Sequence, residues 1–519
     1  MSDDSGNREA GRKANVILLG LASAYFVLEL VPGITGAYRY FIDEFYYLAC
    51  ANHIAAGYVD HPPASACALW LVRAMIGDSL PALRLVPALA GATTIGLVGL
   101  IARRLGAGWQ GQAVAAGAAM IATVYQVVFS YYSMNAYSVL LWTACFLVLI
   151  EIEQRNEPRL WLLFGVLMGL GLENKHTFAL LPLGLAAGLL LTKGRRHFAS
   201  KWLWIGCAIS AALLAPNLVW QASHGWPSVE FYRNADLYKN VQTPPLAVLA
   251  YQILVMNPGT LPVWIAGIYF FVVSKRGRQL RHIGWLYLVL LGLMLIGQKS
   301  RPDRIAEAYV VLFSGGGTLL AALWGRTSLR WLRWAVPAVL VFSGVALLPL
   351  GLTVLPPDME ARYAARLGMV PQIEKGAGKK TELPQWMADR LGWEELASDV
   401  EAVAGQLTAT ERGTAVVVAP TYGQAGALEL LGRGRGLPAV YATQNSYFHW
   451  GPPPDSADIA IVVGPFPADA VRELFEQATI VRVHDPEWST PWRAGVPIWV
   501  ARGPRMAWHE VWPLMRHYE

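Results

Sequence analysis

The chain has 519 residues, 55% of them hydrophobic and only 15% charged, with a formal charge of +6. That is too apolar for a soluble protein of this length. The basic residues fall in short clusters between apolar runs rather than in one stripe with aromatics, which argues against a nucleic-acid partner and reports membrane topology instead.

In chain order, Arg8, Arg12 and Lys13 precede an apolar run from about 14 to 36 that lacks a cleavage site, so an uncleaved first span is expected. A helix needs about 20 mostly apolar residues to cross the hydrocarbon. Eleven such segments are predicted, near 14–36, 80–102, 112–129, 134–152, 159–173, 177–192, 202–221, 247–274, 283–297, 305–324 and 331–352. One set of alternate connections carries 18 Lys and Arg residues, and the other, without the C-terminal tail, carries eight: Arg39, Arg73, Lys175, Arg233, Lys239, Lys299, Arg301 and Arg304. The positive-inside rule makes the richer set cytoplasmic. The loop at 37–79 and the tail at 353–519 are therefore expected outside, after a transmembrane domain over 1–352.

The tail changes character. Pro356-Pro357 opens it, and the runs "GTAVVVAP" (413–420), "DIAIVVG" (458–464) and "VPIWVARG" (496–503) alternate with helical patterns at 384–407 and 421–432. Strands alternating with helices predict a small α/β domain of the parallel-sheet kind. Its "YGQAGALELLG" follows a strand and opens a helix, where an anion could sit, but it is not G-x-G-x-x-G and glycine serves such junctions for backbone reasons alone. The four cysteines, Cys50, Cys67, Cys145 and Cys207, show no C-x-x-C and no metal-like spacing, so neither a disulfide framework nor a zinc site is expected.

The stretch "YFIDEFYYLACANHIAAGYVDHPPAS" (40–65) lies directly after the first span. Locally, Asp43 reads as the cap of a helix running to about Ala56, with Glu44 in its first turn and Phe45, Tyr46 and Tyr47 as interfacial anchors. Capping does not explain two carboxylates near a bilayer surface, where desolvation suits a carboxylate to act as a general base. Basic residues retained in outer connections add to this. Lys175 in "GLENKHTF", Arg84 at the start of the second span, and Lys299, Arg301 and Arg304 in "GQKSRPDR" suit a phosphate at membrane level, the alternative being snorkelling to lipid headgroups. Glu29 inside the first span either faces a cavity or hydrogen-bonds a neighbouring helix, and His53 reads as interfacial.

"DEFYYLACANHIAAGYVDHPP", "GDSLPALRLVPAL", "YYSMNAYSVLLW" and "GVLMGLGLENKHTF", with "LPQWMADRLGWEEL" and "YFHWGP" in the tail, resemble the bacterial branch of the GT-C membrane glycosyltransferases that includes protein O-mannosyltransferases and the lipid A aminoarabinose transferase. The resemblance runs through nearly the whole chain. It implies a polytopic α-helical membrane protein of GT-C type with an extracytoplasmic α/β tail in the bacterial inner membrane, to which the apolar segments add about 11 transmembrane helices and the charge bias a cytoplasmic N-terminus. It implies that Asp43 and Glu44 form the catalytic pair, the acid deprotonating an acceptor hydroxyl, and that inversion follows from one displacement. Asp60-His61-Pro62-Pro63 matches the end of the family's loop, where some relatives have Lys before the prolines, so His61 offers a weaker, pH-dependent phosphate contact. Arg84 matches the family's arginine. Asn135 stands where some relatives have Asp, and Asp303-Arg304 where many have paired tyrosines. Asp60 and Asn135 are candidate substrate contacts.

No Asp-x-Asp occurs in the outer loops, so no metal and no other cofactor is expected, with a divalent ion left open. The implied donor is a polyprenyl-phosphate-linked sugar. The implied acceptor is an envelope hydroxyl on lipid, glycan or protein, with membrane lipid as the surroundings. Two other classes stay open: a flippase for lipid-linked sugars, which would need polar groups along a transbilayer path, and a membrane-anchored binding protein working through its tail.

Overall fold

The computed structural model describes residues 2–240, 242–297, 301–324, 326–368 and 382–519. The chain divides into two units. The first comprises Met1–Thr35, Pro81–Val219 and Val241–Val354, and the second Gly36–Leu80, Trp220–Asn240 and Leu355–Glu519. The second unit thus groups the predicted first outer loop and a short central segment with the tail.

The first unit is helical. Among the described residues seven helices are long and apolar enough to cross a membrane: Gly11–Thr35, Leu80–Arg104, Met134–Arg155, Lys201–Ser223, Arg278–Gly297, Asp303–Leu323 and Thr327–Gly351. Three bent pairs raise the count to as many as ten. The segment predicted at 159–173 is the helix Leu160–Asn174, whose 15 residues leave it short of a full span.

Two predicted spans are not straight. The segment at 112–129 bends by 65° between Trp109–Ile121 and Thr123–Phe129, and the one at 247–274 by 91° between Pro245–Val255 and Pro258–Val272. The second bend has a local cause. Pro258 cannot donate a backbone hydrogen bond and pushes the preceding residue out of the α region, and Asn257 takes φ 69°. The Asn257 side chain then accepts from Gly259 N at 3.0 Å and donates to the carbonyls of Ile121 at 3.1 Å and Ser343 at 3.3 Å. The carbonyl of Ile121, at the first bend, is therefore satisfied by the amide at the second, as a backbone group deprived of water requires.

Asp303–Leu323 is the central helix of this unit, with 83% of its most apolar window buried against 22% for Gly11–Thr35. Its "SGGG" run explains how it packs. A Cβ on Gly316 would overlap the carbonyl of Val263, and one on Gly317 that of Gly111. Small residues let the backbones of three helices approach where no hydrophobic effect drives them together.

The second unit is built on a five-stranded sheet of β1 (Ala415–Ala419), β2 (Ala439–Ala442), β3 (Ile459–Val463), β4 (Phe475–His484) and β5 (Val496–Pro504), in the order β2-β1-β3-β5-β4. The three predicted strands are present, but the sheet is mixed rather than parallel. β1 runs parallel to β2 and β3, whereas β5 is antiparallel to both β3 and β4. β4 returns directly to β5 without the crossover helix that a parallel neighbour needs. The return loop is tied down by Arg493, which stacks over Trp393 at 4.1 Å and donates to the carbonyls of Ala388 at 2.7 Å and Leu391 at 2.8 Å.

One face of the sheet packs on the helices Trp393–Gly405 and Tyr422–Leu431. Their common core of Trp393, Leu396, Val400, Val417, Leu428, Ile461 and Ile498 also contains Phe45, from the helix Ile42–Asn52. A residue of the predicted outer loop is thus part of the tail's hydrophobic core.

Candidate functional site

The Asp43-Glu44 pair stands in the first turn of Ile42–Asn52, with Phe41 as N-cap. The expected capping role belongs to the neighbouring acid. Glu44, fully buried, accepts the Phe41 backbone N–H at 2.8 Å, the third-position carboxylate of a capping arrangement. The helix ends at Asn52, not near Ala56, where the His53 ring stacks on Trp450 at 4.2 Å. Asp43 is half-buried and is left for other work. Its Oδ1 accepts from the Tyr422 hydroxyl at 3.1 Å.

The second acid of the loop has a matching arrangement. The Tyr46 hydroxyl lies 2.8 Å from Asp60 Oδ1 and 2.8 Å from Ser446 Oγ, and accepts the Ser446 backbone N–H at 3.2 Å. Burial pushes the Tyr46 phenol well above its usual pKa, with the nearby Asp60 charge acting in the same direction, so it remains a protonated donor. The rings of Tyr46 and Tyr422 pack together, their centroids 4.6 Å apart. The turn that carries Asp60 is held further by Gln221, which donates to the Tyr58 carbonyl at 3.0 Å, and by Ser228, which donates to that of Val59 at 2.7 Å.

His61 departs from the phosphate role suggested by its place in the motif. The side chain is fully buried, packed against the rings of Tyr46, Tyr47 and Tyr58. Its Nδ1 donates to the Pro62 carbonyl at 2.8 Å, and Nε2 lies 3.8 Å from Cys50 Sγ. Burial raises the Cys50 thiol pKa, so Nε2 meets a protonated S–H. Both ring nitrogens are thus engaged within the loop.

The other candidate phosphate-binding residues described lie in the first unit. Arg84 is buried at the start of Leu80–Arg104 and donates to the Gly33 carbonyl. Lys175 caps the end of Leu160–Asn174 and pairs with Glu307 Oε1 at 3.2 Å, an oxygen that also accepts from Ser138 at 2.9 Å. Arg301 makes a two-pronged contact with Asp303 at 3.1 Å on each arm. The charges of Lys175 and Arg304 also act on Asp303. Three predicted cations thus gather about two carboxylates. Lys299 lies outside the described residues. Asn135 is in the first turn of Met134–Arg155, where its backbone N–H is capped by Ser133 at 3.2 Å. Glu29 is buried in the first span beside Tyr25. Among the described residues no group of three or more His, Cys, Asp or Glu side chains is close enough to hold a metal ion.

The helix that opens with "YGQAGALELLG" has two of its first backbone N–H groups taken up by side chains. Thr421 accepts the Gln424 N–H at 3.3 Å, and Gln444 Oε1 accepts that of Tyr422 at 2.9 Å. Its glycines serve close approach. A Cβ on Gly423 would overlap Ile42, and one on Gly426 would fall 2.8 Å from Phe45 Cβ.

Three comparisons bear on this arrangement. A family profile described as dolichyl-phosphate-mannose-protein mannosyltransferase matches residues 60–220. The lipopolysaccharide core galacturonosyltransferase RgtB of Rhizobium johnstonii is 24% identical over 341 residues, which are 64% of this chain and 65% of that protein. The chain therefore spans just under two thirds of that relative's length. ArnT from Cupriavidus metallidurans superposes with a TM-score of 0.60 at 15% identity, over 94% of this chain and 99% of that one. ArnT bound to undecaprenyl phosphate gives 0.57 at the same identity and coverage. The arabinofuranosyltransferase AftD from Mycobacteria gives 0.53 at 16% identity, over 96% of this chain and 40% of that one. The chain has the GT-C fold. The resemblance to GT-C membrane glycosyltransferases read from the motifs is borne out, and the multi-pass helical architecture with a small sheet in the tail goes with it.

Four neighbours of the candidate residues escaped the motif reading. Tyr422 and Ser446 come from the tail, Glu307 follows Asp303 by four residues, and Tyr46 was read only as an interfacial anchor. The sequence carries no local signal that joins Tyr422 to Asp43, 379 residues away.

Proposed function

We propose that the protein is a glycosyltransferase that moves a sugar from a polyprenyl-phosphate carrier to a hydroxyl acceptor at the outer face of the bacterial inner membrane, with the N-terminus cytoplasmic and the tail outside. The observation that carries the reading is Asp43: a half-buried carboxylate, released from helix capping by Glu44 and held by a neutral hydroxyl. The likeness to ArnT, which has been seen with undecaprenyl phosphate, supports a donor of that class.

In this scheme Asp43 takes the proton of the acceptor hydroxyl as its oxygen attacks the anomeric carbon. The carbon–oxygen bond to phosphate breaks in the same displacement, which inverts the anomeric centre. Polyprenyl phosphate leaves with its charge on the phosphate, and Arg84, Lys175, Arg301 and Arg304 stabilise that anion, with Lys299 joining them. Asp60 and Asn135 contact the sugar or acceptor. No metal or other cofactor enters the scheme. Purified protein supplied with tritiated undecaprenyl-phosphate hexoses and pentoses and an envelope extract should label one class of product, with an anomeric configuration opposite to that of the donor. Movement of the donor across vesicle membranes without product would overturn the reading in favour of a flippase.

A further inference from the structure

We infer that Tyr422 is a positioning residue for the Asp43 carboxylate, so that the tail takes part in transfer by aiming the base. The inference rests on the reading of Asp43 as that base. A tyrosine hydroxyl is protonated at any physiological pH, and as a hydrogen-bond donor to a carboxylate it favours the ionised form. It also fixes the direction of one carboxylate oxygen, which in proton transfer decides where the other electron pairs point.

Tyr422 is itself held from three sides. Its backbone N–H donates to Gln444 Oε1 at 2.9 Å, its ring lies against Tyr46, and Thr421 caps the helix that it opens. The gap between that helix and Ile42–Asn52 has no slack, because Gly423 and Gly426 meet Ile42 and Phe45 where a Cβ would not fit. On its other side Ile42–Asn52 is tied to the tail through the main chain, with Ile42 N donating to the Asp389 carbonyl at 3.1 Å. The carboxylate and its donor therefore stand on two elements whose separation is set by packing. The adjacent pair repeats the arrangement, since Tyr46 serves Asp60 as Tyr422 serves Asp43 and the two rings are in contact. A tail that served only as an anchor would have no need to send a hydroxyl to this one acid.

The test uses full-length protein in nanodiscs and the variant Tyr422→Phe, which keeps the ring and its packing and removes only the hydroxyl. pH-difference infrared spectra, read as the difference from Asp43→Asn in the same background, report the Asp43 carboxyl without any donor present. Its midpoint should move up by about one pH unit, the size expected when one hydrogen bond to a charged group is lost. With tritiated undecaprenyl-phosphate sugars, kcat should fall about tenfold with the donor KM within about twofold, and the acid limb of kcat/KM should move to higher pH. A structural role alone would lower the melting temperature and leave the acid limb in place. An unmoved midpoint, or an unchanged kcat, overturns the inference while leaving Asp43 as base. Full transfer by Asp43→Asn overturns the base reading itself, and with it any reason to aim that carboxylate.

Discussion

The helix Ile42–Asn52 and the turns that carry Lys175 and Asp303 handle charge in opposite ways. In the first, Asp43 meets a neutral donor, Tyr422, and Glu44 is absorbed by the helix N-terminus. In the second, Lys175 is matched by Glu307, and Arg301 by Asp303. A neutral donor orients a carboxylate oxygen without bringing a charge of its own. A counter-ion cancels a cation until a stronger anion arrives, as the proposed role in holding a leaving phosphate would require. The contrast is between an aimed charge and a balanced one.

The sharpest break of that contrast is to remove the aimed charge. Asp43→Asn should fold and insert as the parent does, with the same melting temperature, and lose at least about 100-fold in transfer. Retained activity in the purified variant would end the assignment. On the balanced side, Lys175→Met should weaken binding of undecaprenyl phosphate by about tenfold in a calorimetric titration, and should also destabilise the protein because Glu307 is left buried without its cation. Adding Glu307→Gln should recover the stability and not the affinity. Recovery of both would make Lys175 a partner for Glu307 and nothing more.

The smallest effect concerns an acid that is neither aimed nor balanced. Glu360 is buried in the second unit, its Oε1 has no hydrogen-bond partner among the described residues, and burial pushes its pKa up to about 7. The folded state then holds a proton that the unfolded state has released. The contribution to stability is full below the unfolded value of 4.5 and is lost as pH rises through about 7. Glu360→Gln should accordingly raise the melting temperature at pH 8 by about 2–4 °C and change little at pH 5, measured by thermal unfolding at both pH values. A rise of the same size at pH 5 would place the effect in packing and not in charge.

Much of the helical unit was legible in the sequence because hydrocarbon imposes length and composition on whatever crosses it. Each predicted apolar segment coincides with a helix or a bent pair. What escaped were the bends. Pro258 stood in view, but its consequence depends on Asn257 finding carbonyls at Ile121 and Ser343. In the tail, β-branched runs marked β1, β3 and β5, while β2 and β4 passed unnoticed. β4 is mostly exposed at the sheet edge, with a burial pattern that does not read as a strand. Strand direction was misjudged because the runs record burial and say nothing of which neighbour a strand will have. The motif around Asp43 was legible in residue type, yet the capping role expected of Asp43 falls to Glu44.

The sequence by itself determined a multi-pass helical protein, a separate sheet-forming tail, and a pair of acids in the loop after the first apolar run, because hydropathy, β-branching and motif spacing are local quantities. Tertiary structure alone decided that Phe45 belongs to the tail's core, that Glu307 balances Lys175, and that the hydroxyl on Asp43 comes from Tyr422. Each of these joins residues more than 100 positions apart. Which side chain meets which at that range is set by helix crossings and by the glycines at Gly423 and Gly426 that permit close approach, and no local pattern encodes it.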